Sequence, residues 1–168
     1  MTSPDPLAVR LLDELRARNA TLATCESLTG GALAAALVDV PGASAVFRGG
    51  LVTYASDLKA SLAGVDAAGI AAHGVINRST ADQMAAGAAR VCRASYAIAT
   101  TGVAGPDPQD GCAPGTVWIG VAAPGTEPVA RLLQLDGDRA AIRAATVHEA
   151  LALALQVLSD QNAPEPEA

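Results

Sequence analysis

Three groups of residues in this sequence have the types and spacing to do chemistry. The first is Ser27 with Thr29, Gly30 and Gly31, inside the run Cys25-Glu26-Ser27-Leu28-Thr29-Gly30-Gly31. A hydroxyl ahead of a glycine-rich turn and a helix can act as a nucleophile. Free amides at the start of that helix can hold a phosphate or an oxyanion. The same residues also suit an ordinary N-cap and turn with no chemistry at all. The second is Lys59, the only lysine among eleven basic residues. A chain that uses arginine everywhere else would use it wherever positive charge sufficed. A buried lysine, unlike arginine, can lose its proton and serve as a base; a solvated lysine on a surface helix is the alternative. The third is Gly137-Asp138-Arg139 with Arg143 one turn later. Two guanidinium groups there could bind a phosphate or carboxylate, or Asp138 is a plain N-cap beside two solvated arginines.

Other patterns carry less. Ser56-Asp57-Leu58-Lys59 matches S-x-x-K, but the enzymes that use that pair also need a second lysine motif, so the match is read as accidental. His73 and His148 stand alone, without metal-ligand spacing, and are assigned structural roles. Cys25, Cys92 and Cys112 are odd in number and widely spaced, which indicates neither a zinc site nor a disulfide framework.

The elements that must position these residues follow from periodicity and punctuation. Ser3-Pro4-Asp5-Pro6 caps a helix with Leu7, Leu11, Leu12 and Leu15 at helical spacing, and Asn19 ends it. Residues 21–24 read as a buried strand, and 32–40 as an Ala/Leu-rich helix stopped by Pro41-Gly42. Ser27 therefore lies at a strand-to-helix junction. Residues 46–54 read as a strand whose Gly49-Gly50 suggests a bulge or close approach. Helices are expected at 56–62, 67–72 and from Ser79 or Thr80 to Arg93, then a strand at 96–100. Residues 105–115 cannot be regular, being dense in Gly and Pro. Residues 116–123 and 129–135 read as a hairpin, and 139–159 as the last helix. This alternation predicts an α/β fold. A single domain over 1–160 is expected, with a disordered tail over 161–168.

Composition bounds the function. The chain has 168 residues, 51% hydrophobic but only 2% aromatic, so its core must be built from Ala, Val, Leu and Ile. Mean hydropathy is +0.30 and the isoelectric point is near 4.7. A formal charge of −6 with no basic stripe argues against a nucleic-acid partner, whose phosphates demand a cationic face. No h-region and no uncharged apolar run of membrane-spanning length are evident, so a soluble cytoplasmic protein with no membrane partner is expected.

Six runs in order, CESLTGG, FRGGLVTYASDLK, AAHGVINRST, TTGVAGPD, GTVWIGVA and GDRAAIR, resemble the C-terminal domain of the competence/damage-inducible CinA family. The resemblance extends over roughly residues 7–158, and its stand-alone members include nicotinamide-nucleotide amidohydrolases. It implies a three-layer α/β/α sandwich with a mixed, mostly parallel sheet. It also implies hydrolysis of nicotinamide mononucleotide to nicotinate mononucleotide and ammonia, with neither metal nor other cofactor. By motif position Ser27 corresponds to the nucleophile and Lys59 to its base. Tyr54 becomes a third member that orients the pair or relays a proton. Backbone amides near Thr29, Gly30 and Gly31 would meet the oxyanion. Arg139, Arg143 or the Thr101-Gly102 loop would hold the nucleotide phosphate. The stand-alone form and a homodimer are expected from the same resemblance. Two departures stand out: Leu28 where the family commonly has Cys, and Cys112-Ala113 where it commonly has Lys-Pro, which removes a basic residue from a loop near the pocket.

Overall fold

The computed structural model describes residues 3–161. The first helix, α1 (Pro6–Ala17), begins where Asp5 accepts from the Leu7 amide, and its apolar stripe of Leu11, Leu12 and Leu15 is fully buried. Asn19, at φ 52, turns the chain into β1 (Leu22–Glu26). All five residues of β1 are buried, as expected for a strand covered on both faces. α2 (Ala32–Val38) follows the glycine turn, and β2 (Phe47–Val52) lies beside β1. Two short helices, α3 (Ser56–Ser61) and α4 (Ala67–His73), precede α5 (Arg78–Cys92). Then come β3 (Tyr96–Gly102), the hairpin β4 (Thr116–Ala122) and β5 (Val129–Gln134), and the long α6 (Arg139–Asp160).

The sheet has five strands in the order β2-β1-β3-β4-β5. β1 pairs in parallel with β2 and β3, while β4 runs antiparallel to both its neighbours. The sheet is therefore mixed, with β4 alone reversed. One face is covered by α1, α2 and α6, the other by α5. Leucines and isoleucines fill much of the first face, among them Leu12, Leu22, Ile98, Ile119 and Leu151. The second is packed with Ala23, Ala85, Ala88, Ala97 and Ala99, so α5 lies close on the sheet. At Gly87 a Cβ would stand 1.8 Å from the Ala63 carbonyl oxygen. This small-residue face lets α5 and the sheet approach closely in a chain with so few aromatics.

The bulge expected at Gly49-Gly50 is present. The β1–β2 register steps from Leu22–Phe47 to Ala23–Gly49, leaving Arg48 out of the ladder. A Cβ on Gly50 would sit 2.3 Å from Thr24 Oγ1, so the two strands meet there only because position 50 has no side chain. α6 is apolar enough by length and composition to cross a membrane, with a mean hydropathy of 1.3 over its most apolar stretch. Its buried face instead packs into the core through Ile142, Val147, Leu151, Leu155 and Leu158. Gln161, the first residue of the expected tail, accepts from the Tyr96 hydroxyl at 2.6 Å. Residues 162–168 lie outside the described residues.

Chain order around β1 decides where a ligand can sit. The chain leaves β1 for β2 on one side and returns as β3 on the other. Such a reversal opens a crevice at the carboxyl ends of the strands. Glu26 is level with Val52 on one side and Thr100 on the other. The residues that follow these strand ends, Ser27, Thr53-Tyr54 and Val103, come out at one edge of the sheet.

Candidate active site

Ser27 is the first residue beyond β1, and its amide donates to the Thr100 carbonyl at 3.0 Å. That bond extends the β1–β3 ladder by one rung and fixes where the side chain starts. Its hydroxyl opens on a cleft of about 350 Å³, within the range of small-molecule sites. Leu28, Tyr54, Thr101, Gly102, Asp107 and Arg139 form much of the wall.

Lys59, on α3, is 1% exposed, and its ammonium nitrogen donates to Ser27 Oγ at 3.1 Å and to the Thr53 carbonyl at 2.7 Å. No carboxylate pairs with it among the described residues. Burial disfavours its charged form and holds its pKa below the ordinary 10.5, with Cys25 and Asp110 opposing as negative charges. Of these two, Cys25 is itself pushed up to about 11 by burial, so at neutral pH it is a thiol and exerts no such opposition. The result is an ammonium made easier to deprotonate to the amine, set on a serine hydroxyl. That is the arrangement a Ser/Lys nucleophile needs.

The structure sorts the other sequence-derived site residues into three groups. Tyr54 lines the cleft but makes no hydrogen bond to Ser27 or Lys59. It is 59% exposed, and its hydroxyl accepts from Arg139 Nη2 at 2.9 Å. Arg139 Nη1 donates to the Gly105 carbonyl at 2.8 Å, so this guanidinium is held on the cleft wall and faces the opening. Thr101 also lines the cleft, but its hydroxyl donates to the Val75 carbonyl at 2.7 Å and is fully buried. Gly102 contributes backbone to the wall.

Arg143 is placed differently from Arg139. Its Nε donates to the Leu28 carbonyl at 3.0 Å and its Nη2 to the Thr29 carbonyl at 2.8 Å. It grips the turn and is not among the residues lining the cleft, unlike Arg139. Thr29 is fully buried, its hydroxyl 2.8 Å from that of Thr100. Gly30 and Gly31, at φ 58 and 96, make the left-handed turn that leads into α2.

The helix N-terminus is not available to an anion, which is a correction to the sequence reading. Glu26, fully buried, occupies it: Oε2 accepts from the Gly31 and Leu33 amides at 3.0 Å each, and Oε1 from the Ala34 amide at 2.8 Å. A carboxylate there satisfies the free donors of the first turn and complements the helix dipole. Sequence reasoning gave Glu26 no role, although an acidic residue just ahead of a helix start is the available signal. Asp110 was also missed. It accepts from the Val75 amide at 3.0 Å and anchors the 105–115 loop beside the cleft.

Ser56, exposed, starts α3, and no hydrogen bond joins it to Lys59. Lys59 reaches the distant Ser27 instead of its S-x-x-K neighbour. His73 and His148 are both exposed.

With this geometry in place, comparison with known proteins is decisive for the family. The CinA C-terminal domain family matches residues 4–158. The chain belongs to it. A CinA-like protein of Frankia casuarinae is 51% identical over 156 residues, which are 92% of this chain and 36% of the relative. This chain thus spans about a third of the length of the longer curated relatives. One relative of matching length is nicotinamide-nucleotide amidohydrolase PncC of Escherichia coli K12. It is 41% identical, with 88% of this chain and 87% of the relative covered. Among solved structures, a CinA superfamily protein from Klebsiella pneumoniae 700603 superposes with a TM-score of 0.88 at 33% identity, covering 92% of this chain and 96% of the other. A competence/damage-inducible protein from Agrobacterium tumefaciens superposes at 0.87 and 35% identity, covering 95% and 97%. The three-layer α/β fold with a mixed sheet is thus the fold of this CinA-family chain.

Proposed function

We propose that this CinA-family chain hydrolyses the carboxamide of nicotinamide mononucleotide to nicotinate mononucleotide and ammonia, using Ser27 as nucleophile and Lys59 as base. The observation that carries the reading is the buried Lys59 amine on the Ser27 hydroxyl. The E. coli relative of matching length, named as that amidohydrolase, supplies the substrate class.

The steps balance on these residues. Neutral Lys59 takes the Ser27 proton as Oγ bonds to the carboxamide carbon and the C=O electron pair moves to oxygen. The oxyanion is received by main-chain amides, for which Leu28 and Thr29 are the candidates. Collapse re-forms C=O and breaks C–N, and Lys59 returns its proton to the leaving nitrogen, releasing ammonia. A water then adds to the acyl-enzyme with Lys59 accepting its proton; collapse breaks the Ser27 Oγ–acyl bond, Lys59 returns that proton to Oγ, and nicotinate mononucleotide leaves. The Thr53 carbonyl, accepting a second hydrogen bond from Lys59, keeps the amine aimed at Ser27 through both halves.

Arg139 is the phosphate anchor in this reading, because its guanidinium is the one that faces the cleft, and Tyr54 steadies it there. The setting is a single domain in the cytoplasm acting on a small nucleotide. A module that kept only the fold would have no use for a desolvated lysine placed on a serine.

The test is ammonia release from nicotinamide mononucleotide by the wild type and by Ser27→Ala at equal concentration. Release by the wild type alone supports both the reaction and the nucleophile. A folded wild type that releases none overturns the substrate assignment.

A further inference from the structure

The turn carrying Ser27 is gripped from two sides by charged side chains that no chemical step uses. On one side Arg143 donates to the Leu28 carbonyl at 3.0 Å and to the Thr29 carbonyl at 2.8 Å. It has no carboxylate partner among the described residues, so its hydrogen bonds go to backbone alone. On the other side Glu26 takes the amides of Gly31, Leu33 and Ala34, and among the described residues its one side-chain hydrogen-bond donor is Thr24 Oγ1 at 3.4 Å.

The amides of the turn divide cleanly. Those of Ser27, Gly30 and Ala32 donate to the carbonyls of Thr100, Ser27 and Thr29. The amides of Leu28 and Thr29 meet no acceptor among the described residues, although these residues are only 4% and 0% exposed. Buried amides without partners are rare, and one of the recurring reasons is a catalytic role. Leu28 shares the cleft wall with Ser27.

Peptide planarity links the grip to these donors. In a trans peptide the N–H points opposite to the C=O of the same unit. Fixing the Leu28 carbonyl on Arg143 therefore fixes the direction of the Thr29 N–H. A positive charge on the carbonyl also polarises that unit and strengthens its N–H as a donor. The Ser27 carbonyl, held by the Gly30 amide, does the same for the Leu28 N–H. Glu26 closes the far end of the turn at Gly31 and draws the α2 amides away from the cleft.

We propose that Arg143 and Glu26 are positioning residues that aim the Leu28 and Thr29 amides at the oxyanion formed on attack by Ser27. This rests on the reading of Ser27 as nucleophile, but not on the identity of the substrate.

The experiment compares intact wild type with Arg143→Ala, Arg143→Lys and Glu26→Gln by two readouts. One is kcat and KM for ammonia release from nicotinamide mononucleotide. The other is the rate at which a fluorophosphonate labels Ser27, followed by peptide mass, since phosphonylation also builds charge on an oxygen beside the serine. Arg143→Ala is expected to lower kcat by about 10- to 100-fold and to slow labelling by a similar factor, with KM within about twofold. Added guanidinium ion, below denaturing concentration, should restore part of both rates. Arg143→Lys, which can reach one carbonyl but not both in fork geometry, should fall between. Glu26→Gln places an amide NH₂ against backbone donors and should slow labelling as well. Should Arg143→Ala not fold, Arg143→Lys carries the test.

Raised KM with unchanged kcat and labelling would overturn the proposal in favour of substrate contact by Arg143. Lowered melting temperature with wild-type kcat and labelling would overturn it in favour of a purely structural grip. A wild type that labels at Ser27 but releases no ammonia would sink the substrate reading alone, and the labelling rates would still decide this one. A wild type that does not label at Ser27 would sink the nucleophile reading and the positioning proposal with it.

Discussion

Lys59 Nζ stands 3.1 Å from Ser27 Oγ although 32 positions separate the two residues in the chain. β1 delivers the serine to the carboxyl edge of the sheet. The segment after β2 folds back as α3 and lays the lysine beneath it. The amine is closed from solvent, donates to the Thr53 carbonyl as well, and has no salt-bridge partner among the described residues.

Lys59→Arg keeps the charge but removes a base that can exist neutral. Turnover of nicotinamide mononucleotide is expected to fall by about 10²–10⁴-fold, with the circular dichroism spectrum and melting behaviour of a folded protein. Unimpaired turnover in this variant would remove the base role.

The depressed pKa of Lys59 sets the sign of the pH dependence of activity. In the proposed mechanism the active form is the neutral amine, so kcat/KM should rise with pH through the folded-state pKa and level off below the ordinary lysine range. A profile flat from pH 6 to 10 in the wild type would contradict this.

Stability carries the same signature with its own sign. Between the lowered folded pKa and the ordinary 10.5, the unfolded chain binds the proton that the folded chain has released. Stability contributed by this group therefore increases with pH across that window, and the cost of a buried ammonium is fully present below it. Lys59→Met removes the cost. Its melting temperature should exceed that of the wild type most at low pH, with the gap closing towards pH 10. A gap independent of pH would show that Lys59 is not desolvated in the folded state.

Arg139→Ala should act on substrate affinity. Losing a charge-assisted contact to phosphate corresponds to roughly 10- to 100-fold in KM, with kcat nearly unchanged. Tyr54→Phe, which removes the acceptor that steadies Arg139, should raise KM by less. The reverse pattern, kcat lost and KM kept, would return Tyr54 to the catalytic pair.

Gly50→Val tests the close contact of β1 with β2. A Cβ there would lie 2.3 Å from Thr24 Oγ1. The strain is expected to cost about 1–3 kcal/mol of stability, measured by urea unfolding. A variant as stable as the wild type would mean that the strands can separate without loss.

The sequence by itself determined the elements and singled out Ser27 and Lys59. Hydrophobic period, caps and Gly/Pro punctuation act over a few residues, so strands and helices fall within about two residues of their expected ends. The Gly49-Gly50 irregularity and the 116–134 hairpin were legible for the same reason. A lone lysine in an arginine-rich chain singled out Lys59, and a serine at a strand-to-helix junction singled out Ser27. Tertiary structure alone decided what these groups touch. Arg139 and Arg143 are one turn apart on α6, yet one faces the cleft and the other grips the Leu28 and Thr29 carbonyls. The Tyr54 hydroxyl hydrogen-bonds Arg139 and not Ser27 or Lys59, and Glu26 has claimed the α2 amides. Each outcome depends on which strand ends the sheet order brings together. That order is set by packing between segments tens of residues apart, where local spacing holds no information.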